Sequence, residues 1–293
     1  MSHLETSPRV SVHSVAGVGS CCYVESLDIA FDIGVCFGKA PGRKHVFVTH
    51  GHIDHIKALP GHAGERALCK ASPATYYVPT HLVPHVQAIL ASFECMQEAA
   101  IPATIIGIEA GSCIRVSPRV VVKAFATHHR VPSLGYVAYT VTKRLHDDYK
   151  GLPPNELIAL RKAKVPIDVE VVAPAVAYTG DTEVSFFEPH NDEHCSDFLA
   201  APVLVTECTY VGDKTAPAKA TARGHIHADQ LVAIADRFRN EHLVLTHFSA
   251  QYSLRNLTAT LTDTMRCMPP SVWLAHGDVW AALSKDEKEA TGL

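Results

Sequence analysis

The sequence Val46-Phe-Val-Thr-His50-Gly-His52-Ile-Asp54-His55 places three imidazoles and a carboxylate within six residues, directly after a short hydrophobic run. The β-branched and aromatic residues before His50 predict a buried strand, and Gly51 lets the chain turn sharply beyond it. Side chains packed this closely need a cation, because their polar atoms require partners and their charges require compensation. Neutral imidazole and carboxylate oxygen suit zinc and its first-row neighbours. The stretch therefore predicts a metal-binding loop at the end of a strand.

One loop supplies only part of two coordination shells, so a dinuclear centre requires further His and Asp residues at other strand ends. Three segments supply them: Ala124-Phe-Ala-Thr-His128-His129, Val176-Ala-Tyr-Thr-Gly180-Asp181 and Leu243-Val-Leu-Thr-His247. Any one of these three segments alone would be interpreted as a strand-end His or a turn Asp. For the first stretch, a polar surface loop rich in His is the less favoured alternative. The combination of all four favours a metal centre built from separated strand ends.

The composition is typical of a soluble enzyme, with 293 residues, 47% of them hydrophobic, 19% charged, and a net charge of -4 with neutral His. This length allows one large or two small domains with a substantial core. No apolar run approaches the roughly 18 residues that cross a bilayer, and the first residues do not resemble a secretory or transit peptide. We expect no membrane partner and a cytoplasmic or nuclear location.

The nine cysteines are scattered and include no Cys-x-x-Cys pair. An odd number without secretory signals indicates reduced thiols rather than a disulfide framework. We therefore assign no cysteine as a metal ligand.

The remaining pattern contains two halves, each with strands followed by helical spacing, and no convincing linker between them. It predicts a long amphipathic helix from Pro79 to Ala100 and a helix from His227 to Phe238. This arrangement indicates one α/β domain over residues 1–293, an αββα sandwich in which two mixed sheets pack face to face and helices cover the outer faces.

The segment 143–172 interrupts this alternation as a charged insertion. From Lys143 to Lys164 it carries six Lys or Arg residues against three acids. A short helix from Asn155 to Lys164 is predicted, with Asn155 as its cap. A basic arm can bind nucleic acid even on an acidic protein, because phosphate contacts dominate that affinity. A solvated helix and loop is the alternative that charge alone does not exclude.

The first stretch resembles the signature of the metallo-β-lactamase superfamily. The surrounding sequence is similar to that of tRNase Z, the endonuclease family that removes the 3′ trailer of precursor tRNA. The similarity spans about residues 22 to 255, is closest to the short form found in plants, and rests on five blocks. These are His129-Arg-Val-Pro-Ser-Leu-Gly135-Tyr136, Tyr178-Thr-Gly-Asp181-Thr182, Thr206-Glu207-Cys-Thr209, Gly224-His225-Ile-His227 and Leu245-Thr-His247-Phe-Ser249-Ala-Gln-Tyr252.

The resemblance implies a metallo-β-lactamase-like fold with two Zn²⁺ per chain, Mn²⁺ being the alternative metal. It assigns one metal to His50, His52 and His129, the other to Asp54, His55 and His247, and a bridging position to Asp181. His129 is preferred over His128 because it stands six residues before Gly135. His276, which also ends an apolar run, is interpreted as structural.

Hydrolysis at phosphorus builds charge on the departing 3′ oxygen, which needs a proton. The resemblance implies that His225, oriented by Glu207, supplies this proton. Asp54 could orient or deprotonate the attacking water. On the residues alone, His225 is equally well a helix-start His and Glu207 a strand-end carboxylate.

Three features depart from the family pattern. The Gly-Pro motif of the bacterial arm is absent, Lys57-Ala58 replaces a small Gly pair, and Gly51 stands where Thr or Ser is usual. The first departure concerns tRNA docking, and none of them removes a predicted ligand.

The predicted function is a dinuclear zinc phosphodiesterase that removes the 3′ trailer from precursor tRNA. The alternatives are another hydrolase of the superfamily, acting on a thioester, lactam or small phosphodiester, and a non-catalytic module that binds RNA or protein. Monomer and homodimer both remain open.

Overall fold

The computed structural model describes residues 8–283, which form two sheets and eight α-helices. The first sheet contains β1 (Val10–Val15), β2 (Gly19–Val24), β3 (Ile29–Phe31), β4 (His45–Phe47), β5 (Ala74–Pro79) and β6 (Ala103–Ile108). The second contains β7 (Cys113–Ser117), β8 (Val120–Thr127), β9 (Ser133–Leu145), β10 (Asp168–Tyr178), β11 (Val203–Glu207), β12 (His242–Thr246), β13 (Ser271–His276) and β14 (Val279–Ala282). In each sheet, strands adjacent in sequence are also adjacent in space.

Both sheets are mixed, as predicted. In the first, β1, β2 and β3 pair antiparallel, and β3 to β6 pair parallel. In the second, β7 to β10 pair antiparallel, β10 to β13 pair parallel, and β14 is antiparallel to β13. Strands β8, β10, β11 and β12 consequently run in one direction, and their carboxyl ends meet at the same edge of the sheet.

The helices are α1 (Ile53–Ile56), α2 (Leu59–Leu68), α3 (Val83–Gln97), α4 (Pro154–Lys162), α5 (Asp192–Ala200), α6 (Pro217–Thr221), α7 (Ala228–Ala233) and α8 (Leu254–Thr264). Within residues 8–283, none of the helices has the length and apolar character to span a membrane.

Three helix boundaries differ from the sequence prediction. Helix α3 starts at Val83 because Pro79 ends β5 and a short 3₁₀ turn intervenes. Helix α7 ends at Ala233 and gives way to a 3₁₀ turn. The residue that precedes α4 is Pro153, so Asn155 lies inside the first turn and does not cap it. Local sequence pattern predicts the presence of a helix more reliably than the residues at which it begins and ends.

Buried apolar side chains form three layers. Aromatic residues such as Phe31, Phe47 and Tyr136 fill the space between the two sheets. The outer face of the first sheet packs against α2 and α3, and the outer face of the second against α5, α7 and α8. This arrangement confirms the predicted αββα sandwich.

The insertion 143–172 is more regular than the sequence suggested. Strands β9 and β10 continue into it as a hairpin, in which Leu145 pairs with Asp168. Helix α4 lies in the connection, and the Arg161–Asp168 ion pair at 3.1 Å joins it to β10. The insertion is therefore an extended hairpin that carries a helix.

Candidate metal centre

One group of candidate ligands comprises His50, His52, His129 and Asp181, whose ligand atoms all lie within 4.8 Å of one another. The Nδ1 atom of His52 is 2.8 Å from Nε2 of His50 and 3.3 Å from Nε2 of His129. The Oδ2 atom of Asp181 lies 3.7 Å from Nε2 of His50. The loop after β4 thus meets the loops after β8 and β10.

A second group comprises Asp54, His55 and His247. The Nε2 atoms of His55 and His247 are 3.2 Å apart, and Nε2 of His247 is 3.3 Å from Oδ2 of Asp54. The other carboxylate oxygen of Asp181, Oδ1, is 3.4 Å from Nε2 of His55 and 3.3 Å from Nδ1 of His247. The two oxygens of Asp181 therefore face different groups.

Hydrogen bonds on the far side of the rings fix their orientation. Nδ1 of His129 donates to the carbonyl of Gly224 at 2.7 Å, and Nδ1 of His55 donates to Asp32 at 2.7 Å. Nδ1 of His50 donates to the hydroxyl of Thr49 at 2.9 Å, because that hydroxyl donates its own proton to Asp32. The Nε2 atoms that face the two groups are consequently left with lone pairs.

This arrangement fits divalent cations. Lone pairs that face one another repel without a cation between them, and the buried Oδ1 of Asp181 accepts no hydrogen bond from any residue in 8–283. Imidazole nitrogen and carboxylate oxygen are also the donors that zinc prefers outside thiolate sites. The cluster of His and Asp side chains is therefore compatible with metal binding.

Asp32 connects the centre to both sheets. Its buried carboxylate accepts hydrogen bonds from the backbone N–H and hydroxyl of Thr49, from His55 and from the hydroxyl of Tyr178. These contacts show that Asp32 braces the loop after β4. The backbone φ of Asp32 is 57°, in the left-handed region that is strained for residues other than glycine. The several hydrogen bonds to its side chain hold the residue in this conformation.

A pair of side chains, His225 and Glu207, lies beside the candidate metal ligands. Nδ1 of His225 is 2.9 Å from Oε1 of Glu207 and 4.0 Å from Oδ2 of Asp181. Glu207 is itself fixed, because it accepts hydrogen bonds from the N–H of Thr182 at 2.7 Å and the hydroxyl of Thr209 at 2.6 Å. Glu207 thus orients the His225 ring toward the metal ligands.

The pKa of the ring is shifted in one direction in His50, His52 and His129 and in the other direction in His225. Burial lowers the pKa of His50, His52 and His129, which favours the neutral ring that a metal requires. Burial also acts to lower the pKa of His225, but the adjacent Glu207 carboxylate raises it to about 9. His225 is therefore protonated at neutral pH.

The Asp54 carboxylate stays ionised. Burial acts to raise its pKa, but the adjacent His247 and His55 rings hold it below the usual range. The N–H of Gly17 also donates to its Oδ2 at 2.7 Å.

The structure separates the predicted ligands from other strand-end His residues. His128 turns away, with its Nδ1 2.9 Å from the hydroxyl of Ser185, and His276 lies against Phe248. Neither belongs to a metal-ligand group within residues 8–283. Thr209 was quoted in a motif but given no role. It donates to the nearby Glu207, and its contact with His247 at 3.1 Å joins segments 38 residues apart, which the sequence does not signal.

A cavity of about 440 Å³ opens onto both ligand groups and His225. Its lining comprises Ala16, Gly17, His52, Ile53, Asp54, Arg130, Asp181, Thr209, Tyr210, His225, His247 and Ser249. The arrangement can hold cations next to a protonated imidazole, at a mouth that a substrate can reach.

Comparison with known proteins is consistent with this geometry. Residues 38–248 match the model of a family described as "Beta-lactamase superfamily domain". The chain is 34% identical over 257 residues to tRNase Z TRZ1 of Arabidopsis thaliana, covering 88% of this chain and 89% of that relative. The chain belongs to the tRNase Z family. Another tRNase Z, the chloroplastic TRZ2 of the same plant, is 34% identical over 245 residues, covering 83% of this chain and 68% of that relative.

The structure of human tRNase Z, short form, has a TM-score of 0.56 and 20% identity, and covers 83% of this chain and 93% of the human chain. It supports the metallo-β-lactamase fold. The tRNase Z resemblance seen in the sequence is confirmed.

Proposed function

We propose that this tRNase Z family member is a metal-dependent endoribonuclease that removes the 3′ trailer of precursor tRNA. The observation that carries the proposal is that seven candidate ligands from four strand ends cluster beside the His225–Glu207 pair, at a cavity lined by members of both ligand groups and by His225. The names of the 34% identical relatives support the same activity.

We propose two Zn²⁺ per chain, with Mn²⁺ as a substitute. His50, His52 and His129 would hold one ion, Asp54, His55 and His247 the other, and Asp181 would bridge them. Bound at these positions, the cations would stabilise charge on the non-bridging phosphate oxygens and activate water. The close approach of the Nε2 atoms and the unpaired Oδ1 of Asp181 support this assignment.

The chain's own residues provide proton transfer. Asp54 remains ionised, so it can accept a hydrogen bond from the attacking water and orient it. His225 carries a proton at neutral pH and can donate it to the departing 3′ oxygen. Glu207 holds the His225 ring in place and stabilises its positive charge.

We further propose that residues 1–293 form one domain and that the insertion 143–172 is an arm that contacts tRNA. Its exposed Lys143, Lys162 and Lys164 have no ion-pair partner within the described range 8–283. Three exposed cations on the hairpin and its helix suit the phosphate backbone.

The test begins with recombinant protein. We expect close to two zinc ions per chain by elemental analysis, and cleavage of a labelled precursor tRNA directly after the discriminator base that a chelator abolishes. The variants Asp54→Ala and His225→Ala should abolish the cut, and His190→Ala, at an exposed site, should retain it. Sedimentation of the same preparation distinguishes a monomer from a homodimer.

Other outcomes would support the alternatives. Metal-replete protein that leaves precursor tRNA intact would falsify the proposed function. Retained hydrolysis of a thioester or lactam by His225→Ala would favour a different hydrolase, because such substrates have less need of a proton donor. Sites that stay empty in zinc-supplemented protein would favour a binding module.

A further inference from the structure

Arg130 lies at the mouth of the metal-site cavity and is the one Lys or Arg among the described residues that line it. Its side chain is exposed. Within the described part of the chain, the guanidinium makes no ion pair with any carboxylate and donates to no acceptor. Five N–H donors are therefore available to a ligand at this position.

The position of Arg130 is fixed by close backbone packing. Gly224 has a φ of 74°, and a Cβ added there would lie 3.0 Å from Cγ of Arg130 and 3.1 Å from its backbone nitrogen. The carbonyl of Gly224 accepts the hydrogen bond from His129, the residue before Arg130. Because His225 follows Gly224, Arg130 is held on the same side of the cavity as the proposed proton donor.

A second arginine, Arg223, precedes Gly224 and differs from Arg130 in its contacts. Arg223 donates to the hydroxyl of Tyr210 at 2.9 Å and lies over the Tyr210 ring at 5.6 Å. Its guanidinium already has a partner in the protein. Arg223 directly precedes Gly224 in the sequence and Arg130 packs against Gly224 in the structure, yet of these two guanidinium groups only that of Arg130 is without a partner among the described residues.

The chemistry of the guanidinium selects the ligand. Its planar fork binds phosphate through two parallel hydrogen bonds, which are stronger than neutral ones because both partners are charged. The cations proposed above would engage the scissile phosphate itself. A long side chain at the rim would instead contact a neighbouring phosphate of a polynucleotide.

We propose that Arg130 binds the phosphate on the 5′ side of the scissile bond and thereby selects polynucleotides over substrates with one phosphate. This inference rests on the proposed function, in which His225 protonates the departing 3′ oxygen. That oxygen belongs to the nucleotide on the 5′ side, and Arg130 lies beside His225. The phosphate it binds is retained by the mature tRNA product.

The first experiment compares Arg130→Gln with wild type. We expect KM for precursor tRNA to rise roughly 10-fold and the slope of log(1/KM) against log salt to become shallower by about one. Hydrolysis of bis(p-nitrophenyl) phosphate, which has one phosphate, should be unchanged. Lys70→Gln is the matched control. This exposed lysine lies before the first residue of β5, at the end of the strand that is far from the metal site.

The second experiment places a neutral methylphosphonate at the linkage 5′ of the scissile phosphate. Wild type should cut this precursor roughly 10-fold less efficiently, and Arg130→Gln should show no further loss, because both changes remove one interaction. The same modification on the 3′ side should leave the difference between the two proteins intact.

Additive losses from the 5′ modification and Arg130→Gln, or equal salt slopes, would overturn the role of Arg130 while the cut itself stands. A wild-type protein that does not cut precursor tRNA would overturn the proposed function and this inference with it. A loss of bis(p-nitrophenyl) phosphate hydrolysis in Arg130→Gln would show that Arg130 acts on the scissile phosphate or on the fold, contrary to the proposal.

Discussion

The hydroxyl of Tyr178 donates a hydrogen bond of 2.9 Å to the carboxylate of Asp32 and joins the two sheets across 146 residues of sequence. Tyr178 ends β10 in the second sheet, and Asp32 follows β3 in the first. Both side chains are buried. The same carboxylate accepts from His55, so the contact between the sheets also sets the orientation of a candidate metal ligand.

Tyr178→Phe removes this hydrogen bond and little else. We expect the free energy of unfolding to fall by about 1.5–3 kcal/mol, the range for a bond to a charged group. Zinc affinity should fall as well, because His55 loses part of its support. Tyr252→Phe is the control, since among residues 8–283 the buried Tyr252 hydroxyl bonds only the backbone of Val211, and about 1 kcal/mol is expected there. Urea titrations of both variants measure the difference, and equal losses would contradict it.

Gly34→Ala should disrupt the metal loop. A Cβ at Gly34 would lie 1.7 Å from the carbonyl oxygen of Asp54 and 2.8 Å from the backbone nitrogen of His55. Backbone atoms cannot move aside without displacing both ligands, so we expect loss of bound zinc and of phosphodiesterase activity. Gly64→Ala, in the middle of α2 with no atom within 4 Å, should keep both and gain about 0.5–1 kcal/mol of stability. Elemental analysis and thermal melting report the two effects, and a metal-replete Gly34→Ala protein would refute the first.

The buried His62, which lies outside the metal centre, should make the free energy of unfolding depend on pH. Its ring is fully buried, donates from Nε2 to the carbonyl of Ala40 and accepts the hydroxyl of Tyr76 at 2.6 Å on Nδ1. Burial, with a smaller effect of the Arg66 charge, lowers the pKa of His62 to about 4. The unfolded chain, with a His pKa near 6.5, binds the proton first as pH falls. This contribution to stability is therefore complete above pH 6.5 and lost between about pH 6.5 and pH 4.

The loss attributable to His62 is on the order of 3 kcal/mol over this interval. His62→Gln keeps a donor for Ala40 but does not titrate. Between pH 6.5 and pH 4, its free energy of unfolding should therefore fall by on the order of 3 kcal/mol less than that of wild type. The exposed His190→Gln variant serves as the reference. Denaturant titrations at pH 7, 5.5 and 4 measure the slopes. Parallel pH profiles for wild type and His62→Gln would exclude this role.

The proposed arm should affect the binding of precursor tRNA and leave the chemical step unchanged. The double variant Lys162→Ala/Lys164→Ala removes two exposed charges on α4 and the turn after it. We expect a higher KM for precursor tRNA, an unchanged kcat and a salt slope reduced by about two, because phosphate contacts outside the site affect binding alone. Lys44→Ala/Lys70→Ala removes the same charge before β4 and β5, at the opposite edge from the site, and should behave as wild type. A reduced kcat in the arm variant would mean that α4 affects the catalytic centre.

Much of this architecture could be predicted from the sequence because it depends on local pattern. Runs of apolar residues placed the strands, and the polar residue after each run placed the candidate ligands, since parallel strands bring their carboxyl ends together. The choice of His129 over His128 came from spacing within a resembling motif, and in the structure the two rings have different partners, Gly224 for His129 and Ser185 for His128.

The remaining features depend on contacts between distant segments. The hairpin of the insertion was missed because Lys143 and Arg144 continue β9 in solvent, where neither face needs apolar residues. The bracing contacts of Thr209 and the packing of Arg130 against Gly224 join segments that have no local signal for each other. Such contacts become visible only when the two sheets are assembled.

The position of Asp32 has a consequence for redesign. Since one buried acid supports both the junction of the layers and the aim of His55, substitutions nearby will change folding and metal retention together. An engineer who wants a different substrate should leave that interior alone and vary the solvent-facing border of the cavity, where side chains such as Arg130 are not required by their neighbours.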